Sequence, residues 1–121
     1  MTPTRPGKTA GHPKAARIRR RREFLTLQRD ARRRHTSHFV VLRSPSAGPL
    51  SRLGVTVSSR VGNAVVRNRV KRLVREVFRI RRAELVDPTD VIVIAKPGAD
   101  RLTYGAVALQ LESALGLGSA R

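Results

Sequence analysis

The sequence predicts a small single α+β domain, and three observations carry that prediction. A basic amphipathic helix follows a glycine turn at Gly62. Three β-rich runs lie around it, at about 35–43, 52–59 and 90–96. A nearly uncharged helical period closes the chain at about 103–115.

Taken in order, residues 1–16 are rich in Pro, Gly, Thr and Lys and lack an apolar period. They read as a disordered basic tail that includes His12. From Arg17 the text changes, and the folded domain is expected over residues 17–115, with 116–121 as a C-terminal tail. Phe24, Leu25 and Leu27 fit a short helix from about 20 to 31. Phe24 there suits either a core position or an exposed ring beside arginines. Arg32, Arg33 and Arg34 form a second basic cluster. His35 to Arg43 is a strand by its β-branched and aromatic content, with His35 and His38 as strand-edge polar residues rather than metal ligands.

A loop over 44–50, marked by Pro and Gly, leads to a strand over 52–59 expected antiparallel to the one before it. Leu53, Val55 and Val57 share one face, Thr56 and Ser58 the other. Asp87 and Asp90 read as turn chemistry and charge relief. Asp90 to Lys96 is the most apolar run and the expected central strand. In the last helix Thr103 is a candidate N-cap, and Gly116 or Gly118 a stop. With so little charge it is expected to cover the sheet.

The helix after Gly62 organises the chain. Asn63 is placed to cap it. On a wheel of about 100° per residue, Val66, Val70, Leu73, Val74, Val77 and Ile80 fall within about 120° of one another. Arg67, Asn68, Lys71, Arg72, Arg75, Arg79 and Arg82 are assigned to the opposite arc. Between Arg60 and Arg82 nine Lys/Arg face one acid, Glu76, four residues after Arg72. Like charges at i, i+4 repel by about 0.2–0.5 kcal/mol per pair, and a merely solvated face usually mixes both signs. A one-signed ridge implies a polyanionic partner.

Composition agrees. Formal net charge is +18 in 121 residues, which points to nucleic acid. No apolar segment long enough for a membrane span or a signal peptide stands out, so neither a membrane nor secretion is expected. The absence of cysteine removes disulfides and the common zinc modules, and fits a cytoplasmic protein. Three Phe, one Tyr and no Trp are few for a protein that reads bases by stacking. The eight acids are scattered, with no nucleophile constellation and no carboxylate cage for Mg²⁺. The residues therefore suggest a nucleic-acid binder with no catalytic or metal-ligating residue of its own. A ribosomal protein, an architectural DNA-binding protein and an autonomous metal-dependent nuclease are the rival readings.

The run from Gly54 to Glu76 resembles the signature of the bacterial ribonuclease P protein subunit. Arg67, Asn68 and Arg69 match its Arg-Asn-Arg core, and Lys71, Arg72 and Arg75 the basic positions that follow. The likeness extends over about residues 17–115. It implies an αβββαβα domain with a mixed four-stranded sheet, including a short strand near Arg32 to Arg34. The basic helix would lie in a left-handed β-α-β crossover, a handedness that residue pattern alone would not select.

The resemblance also implies an accessory role in an endoribonuclease that removes the 5′ leader from precursor tRNA, with no further protein partner. Catalysis, and the Mg²⁺ it needs, would belong to the RNA subunit. Arg60, Asn63, Arg67, Asn68, Arg69, Lys71, Arg72 and Arg75 would contact that RNA. Arg17, Arg20, Phe24, Phe39, Val40 and Leu42 would line a cleft for the leader. Gln28 and Leu42 stand where the family often has aromatics, so cationic contacts are expected to take more of the leader-binding load. Ser59 stands where the family often has lysine, which removes one expected phosphate contact.

Overall fold

The computed structural model describes residues 18, 21–22, 32–46, 48–85 and 87–117. Four strands form one mixed sheet: β1 (Arg32–His35), β2 (Phe39–Pro45), β3 (Arg52–Val57) and β4 (Thr89–Ala95), in the spatial order β1-β2-β4-β3. β1 runs antiparallel to β2, β2 antiparallel to β4, and β3 parallel to β4. Helix α1 (Ala64–Arg81) connects β3 to β4, and helix α2 (Tyr104–Ala114) follows β4. Of the helix expected at about 20–31, only residues 21–22 are described, and both are helical.

β4 sits where its composition requires. Asp90, Val91, Ile92 and Val93 are all buried, as suits a strand paired on both edges and covered on both faces. Its position corrects the expected pairing of the two preceding strands. β2 and β3 do run in opposite directions, but β4 lies between them and takes the hydrogen bonds of both. Asp90 lies within β4 rather than in a turn, and it relieves charge as expected. It accepts two hydrogen bonds from Arg52, its parallel-register partner, at 2.8 and 2.9 Å.

Period-two alternation divides the sheet into two faces. Phe39, Val41, Leu53, Val57, Val91 and Val93 point to the helices and form the main core with Val70, Val74, Val77, Phe78, Val107 and Leu111. Leu42 and Ile92 point the other way and pack with Ile18, flanked by Val40 and Ile94. The Ile18 amide donates to the Leu53 carbonyl at 2.8 Å, which ties this point of the N-terminal segment to β3.

α2 is delimited as its sequence suggested. Thr103 Oγ1 accepts from the Ala106 amide at 3.2 Å. Gly116 adopts φ +74°, and the amides of Gly116 and Leu117 donate to the carbonyls of Ser113 and Glu112. That pair of bonds closes a helix through a left-handed residue, which glycine adopts without side-chain strain. A buried ion pair joins α2 to α1: Arg81 Nη1 donates to Glu112 Oε2 at 2.8 Å, and both residues are 5% exposed.

Candidate nucleic-acid interface

α1 owes its start to two neighbouring residues. Asn63 Oδ1 accepts from the Val66 amide at 3.0 Å, satisfying one orphan N–H of the first turn. A Cβ on Gly62 would lie 2.6 Å from Val66 Cγ1, so the chain approaches the helix more closely than any side chain allows. Arg60, just before this turn, is exposed.

The buried stripe of α1 consists of Val70, Val74, Val77, Phe78 and Arg81. It is rotated from the expected one. Ile80 is 49% exposed, while Phe78 takes its place in the core. Phe78 and Arg81 lie on the flank that meets the shared core and α2, where Arg81 pairs with Glu112. Arg67 moves with this rotation. Expected on the outer arc, it is half-buried, and its Nε is enclosed without a hydrogen-bond partner among the described residues.

The outer face carries Asn68, Arg69 and Arg72 as exposed residues, flanked by half-exposed Lys71 and Arg75. These cations have different obligations. Arg69 donates from Nη1 to the Asp100 carbonyl at 3.0 Å and from Nη2 to the Leu102 carbonyl at 3.4 Å, latching α1 to the short 3₁₀ turn Ala99–Arg101. Glu76 does not relieve Arg72 as its spacing suggested. It accepts instead from Arg79, with Arg79 Nε donating to Oε1 at 3.1 Å. That hydrogen bond, helped by the Arg79 charge against some cost of burial, holds the Glu76 carboxyl below the ordinary range. Neither Arg60 nor Arg72 has a side-chain ion pair among the described residues, so the single acid leaves the ridge strongly positive. Val65, 78% exposed, lies on this same side beside Asn68, Arg69 and Arg72.

Of the residues expected to line a second cleft, Val40 and Leu42 share a face of the sheet and Phe39 does not. Arg17, Arg20 and Phe24 lie outside the described residues. Val40 and Leu42 share one face of β2, and Phe39 is on the other, fully buried under the helices. Phe39 is a core residue because alternation along a strand separates adjacent side chains. Leu42 is also fully buried, packed with Ile18 and Ile92, which leaves Val40 as the partly exposed member.

The polar groups that invited other readings have structural partners. Gln110 Oε1 accepts from Thr36 Oγ1 at 2.8 Å and from the His38 amide at 2.9 Å, which turns its Nε2 toward His38 Nδ1 at 3.0 Å. His38 thus joins the β1–β2 turn to α2. No group of three or more metal-ligating side chains occurs among the described residues. Four of the carboxylates are already held by arginine: Asp90, Glu76, and Glu84 and Glu112 on Arg81. Such a donor set does not fit a protein cage for Mg²⁺. No described helix is long and apolar enough to cross a membrane.

Known proteins share both the sequence and this architecture. The family model for ribonuclease P matches residues 12–117. The ribonuclease P protein component of Citrifermentans bemidjiense is 42% identical over 108 residues, covering 89% of this chain and 92% of that protein. That of Desulfovibrio desulfuricans is 48% identical over 103 residues, covering 82% and 79%. Among solved structures, the Staphylococcus aureus RNase P protein superposes with a TM-score of 0.77 at 33% identity, covering 85% of this chain and 94% of that one. The Thermotoga maritima RNase P protein gives 0.74 at 32%, covering 82% and 94%. With the ridge of α1 carried on this sheet, the chain belongs to the bacterial ribonuclease P protein family.

Proposed function

We propose that this protein is the RNA-binding subunit of a ribonuclease P ribonucleoprotein, which removes the 5′ leader from precursor tRNA in the cytoplasm. The observation that carries the reading is the one-signed outer face of α1, where Arg69, Lys71, Arg72 and Arg75 reach solvent and the one acid of the helix, Glu76, is already held by Arg79. Arg60, Asn68, Arg72 and their neighbours dock the catalytic RNA through its phosphates. The leader is contacted by Arg17, Arg20, Phe24 and Val40, the last of these on the sheet face opposite the helices.

Catalytic Mg²⁺ belongs to the RNA, in keeping with a protein whose described carboxylates are largely committed to arginine. The protein's part is electrostatic. By neutralising phosphates on two RNAs it lowers the Mg²⁺ concentration that assembly requires, and by gripping the leader it favours precursor over mature tRNA.

The test is reconstitution. Precursor tRNA is incubated at low Mg²⁺ with the protein alone, the catalytic RNA alone, and both. Efficient release of the leader is expected only from the pair. Cleavage by the protein alone, or no stimulation of the RNA, would refute the proposal.

A further inference from the structure

A second cationic surface lies at the far edge of the sheet. β1 is an edge strand, and all four of its residues, Arg32, Arg33, Arg34 and His35, are exposed. Arg32 is the direct cross-strand partner of Arg43, and Arg34 of Val41. Since Val41 faces the helices, alternation places Arg32, Arg34 and Arg43 together on the helix side of the sheet. Arg43 is fixed there, with its Nη1 donating to the Leu115 carbonyl at 3.1 Å, at the end of α2. Among the described residues, an open hollow of about 330 Å³ is lined by Arg32, Arg33, Arg34 and Arg43.

Facing like charges across an antiparallel pair are destabilising. Charges on an edge strand do serve to block pairing with another sheet, which accounts for Arg32 and Arg34. It does not account for Arg43, which belongs to the interior strand β2, is bonded to the Leu115 carbonyl and lines the same hollow as Arg32. Three arginines gathered around a hollow, with no carboxylate among its described lining residues, fit phosphate groups.

The surface is distinct from the α1 ridge. β2 and β4 lie between β1 and β3, so three strand spacings, about 14 Å, separate the sheet edges. α1 packs on β3, and α2 lies between α1 and the arginine hollow. Both cationic surfaces nevertheless flank the helix side of the sheet, whereas Val40 and Leu42 occupy the other face. One large polyanion can span α2 and touch both. A single strand lying on the Val40 face meets neither Arg32 nor Arg34.

We infer that Arg32, Arg34 and Arg43 form a second docking site for the phosphodiester backbone of the catalytic RNA, remote from α1. The inference rests on the proposed function, in which that RNA docks on α1. Two separated contacts on one RNA act as a bivalent attachment, adding affinity and fixing the angle at which the protein sits.

The experiment measures binding of the full chain to the catalytic RNA as a function of salt. Three variants are compared with the parent: Arg32→Ala/Arg34→Ala, Arg32→Lys/Arg34→Lys and Arg67→Ala/Arg72→Ala. Thermal melts establish that each is folded. The first variant is expected to bind about tenfold more weakly, with a log–log salt slope shallower by about 1.5 for two lost phosphate contacts. The lysine variant is expected to keep the parental slope. Parental affinity and slope in the first variant would overturn the inference. So would self-association of that variant with RNA binding unchanged, which would leave only edge protection. A loss seen only with leader-bearing precursor, and not with the catalytic RNA, would overturn it as well. The third variant separates the two claims. If it too binds like the parent, docking on α1 fails; if only the first does, docking on α1 stands and the second site falls.

Discussion

Asn63 is where a structural role and a proposed RNA contact meet in one residue. Its side-chain oxygen caps α1 through the Val66 amide, and the RNA contact is part of the proposed function. The two roles separate on mutation. Asn63→Ala is expected to cost about 1 kcal/mol in urea denaturation, as lost caps do, and Asn63→Ser to recover most of it. If Asn63 also touches RNA, Asn63→Ser binds the catalytic RNA more weakly despite parental stability. Other single residues divide in the same manner. Arg69 was legible as a cation but not as the latch on the carbonyls of Asp100 and Leu102, because those partners lie 31 and 33 residues away. Phe39 looked like a candidate for the leader only while the alternation of β2 was left out of account; in the fold it is core.

At the scale of elements, α1 and α2 are joined by Arg81 and Glu112, a pair almost wholly removed from water. Arg81 also holds Glu84, so it keeps a partner when Glu112 is removed, whereas removing Arg81 leaves the buried Glu112 carboxylate uncompensated. Arg81→Met is expected to cost about 3–5 kcal/mol, whereas Arg81→Met/Glu112→Leu should come within about 1 kcal/mol of the parent or exceed it. Chemical denaturation of the three proteins checks this, and equal losses in the single and double variants would contradict it. No spacing rule in the sequence marks this pair, since its members lie on different helices. The elements themselves were largely legible. The cap at Thr103, the stop at Gly116, the apolar run of β4 and the glycine turn before α1 all depend on neighbours within a few residues. Strand adjacency was not. β4 enters between β2 and β3 because it is the most apolar of the strands, and the central place buries it on both edges.

Over the whole molecule, a net charge of +18 sets the conditions under which the chain folds. Four of the described carboxylates are spent on internal arginines, so they relieve little of the repulsion among the rest. An anion that binds the folded state stabilises it by mass action. Millimolar sulfate at low ionic strength is expected to raise the melting temperature by several degrees, more than chloride at matched ionic strength, with circular dichroism following the transition. Identical melts in sulfate and chloride would show that screening alone matters. The two cationic surfaces, α1 and the β1 edge, are where such anions would gather.

What the sequence by itself determined was local or summed: the helical period and one-signed face of α1, its cap, the apolar β4, and an overall charge that calls for nucleic acid. Its motif also carried the family. Tertiary structure alone decided which arginines are committed. Arg52, Arg69, Arg79 and Arg81 are held by partners within the chain, and Arg43 is brought opposite Arg32 across two strands. The reason is physical. A charge pattern along a chain records only the sign of each residue, whereas its availability to a ligand depends on which oxygen lies within about 3 Å, and in this fold those oxygens often come from a distant element.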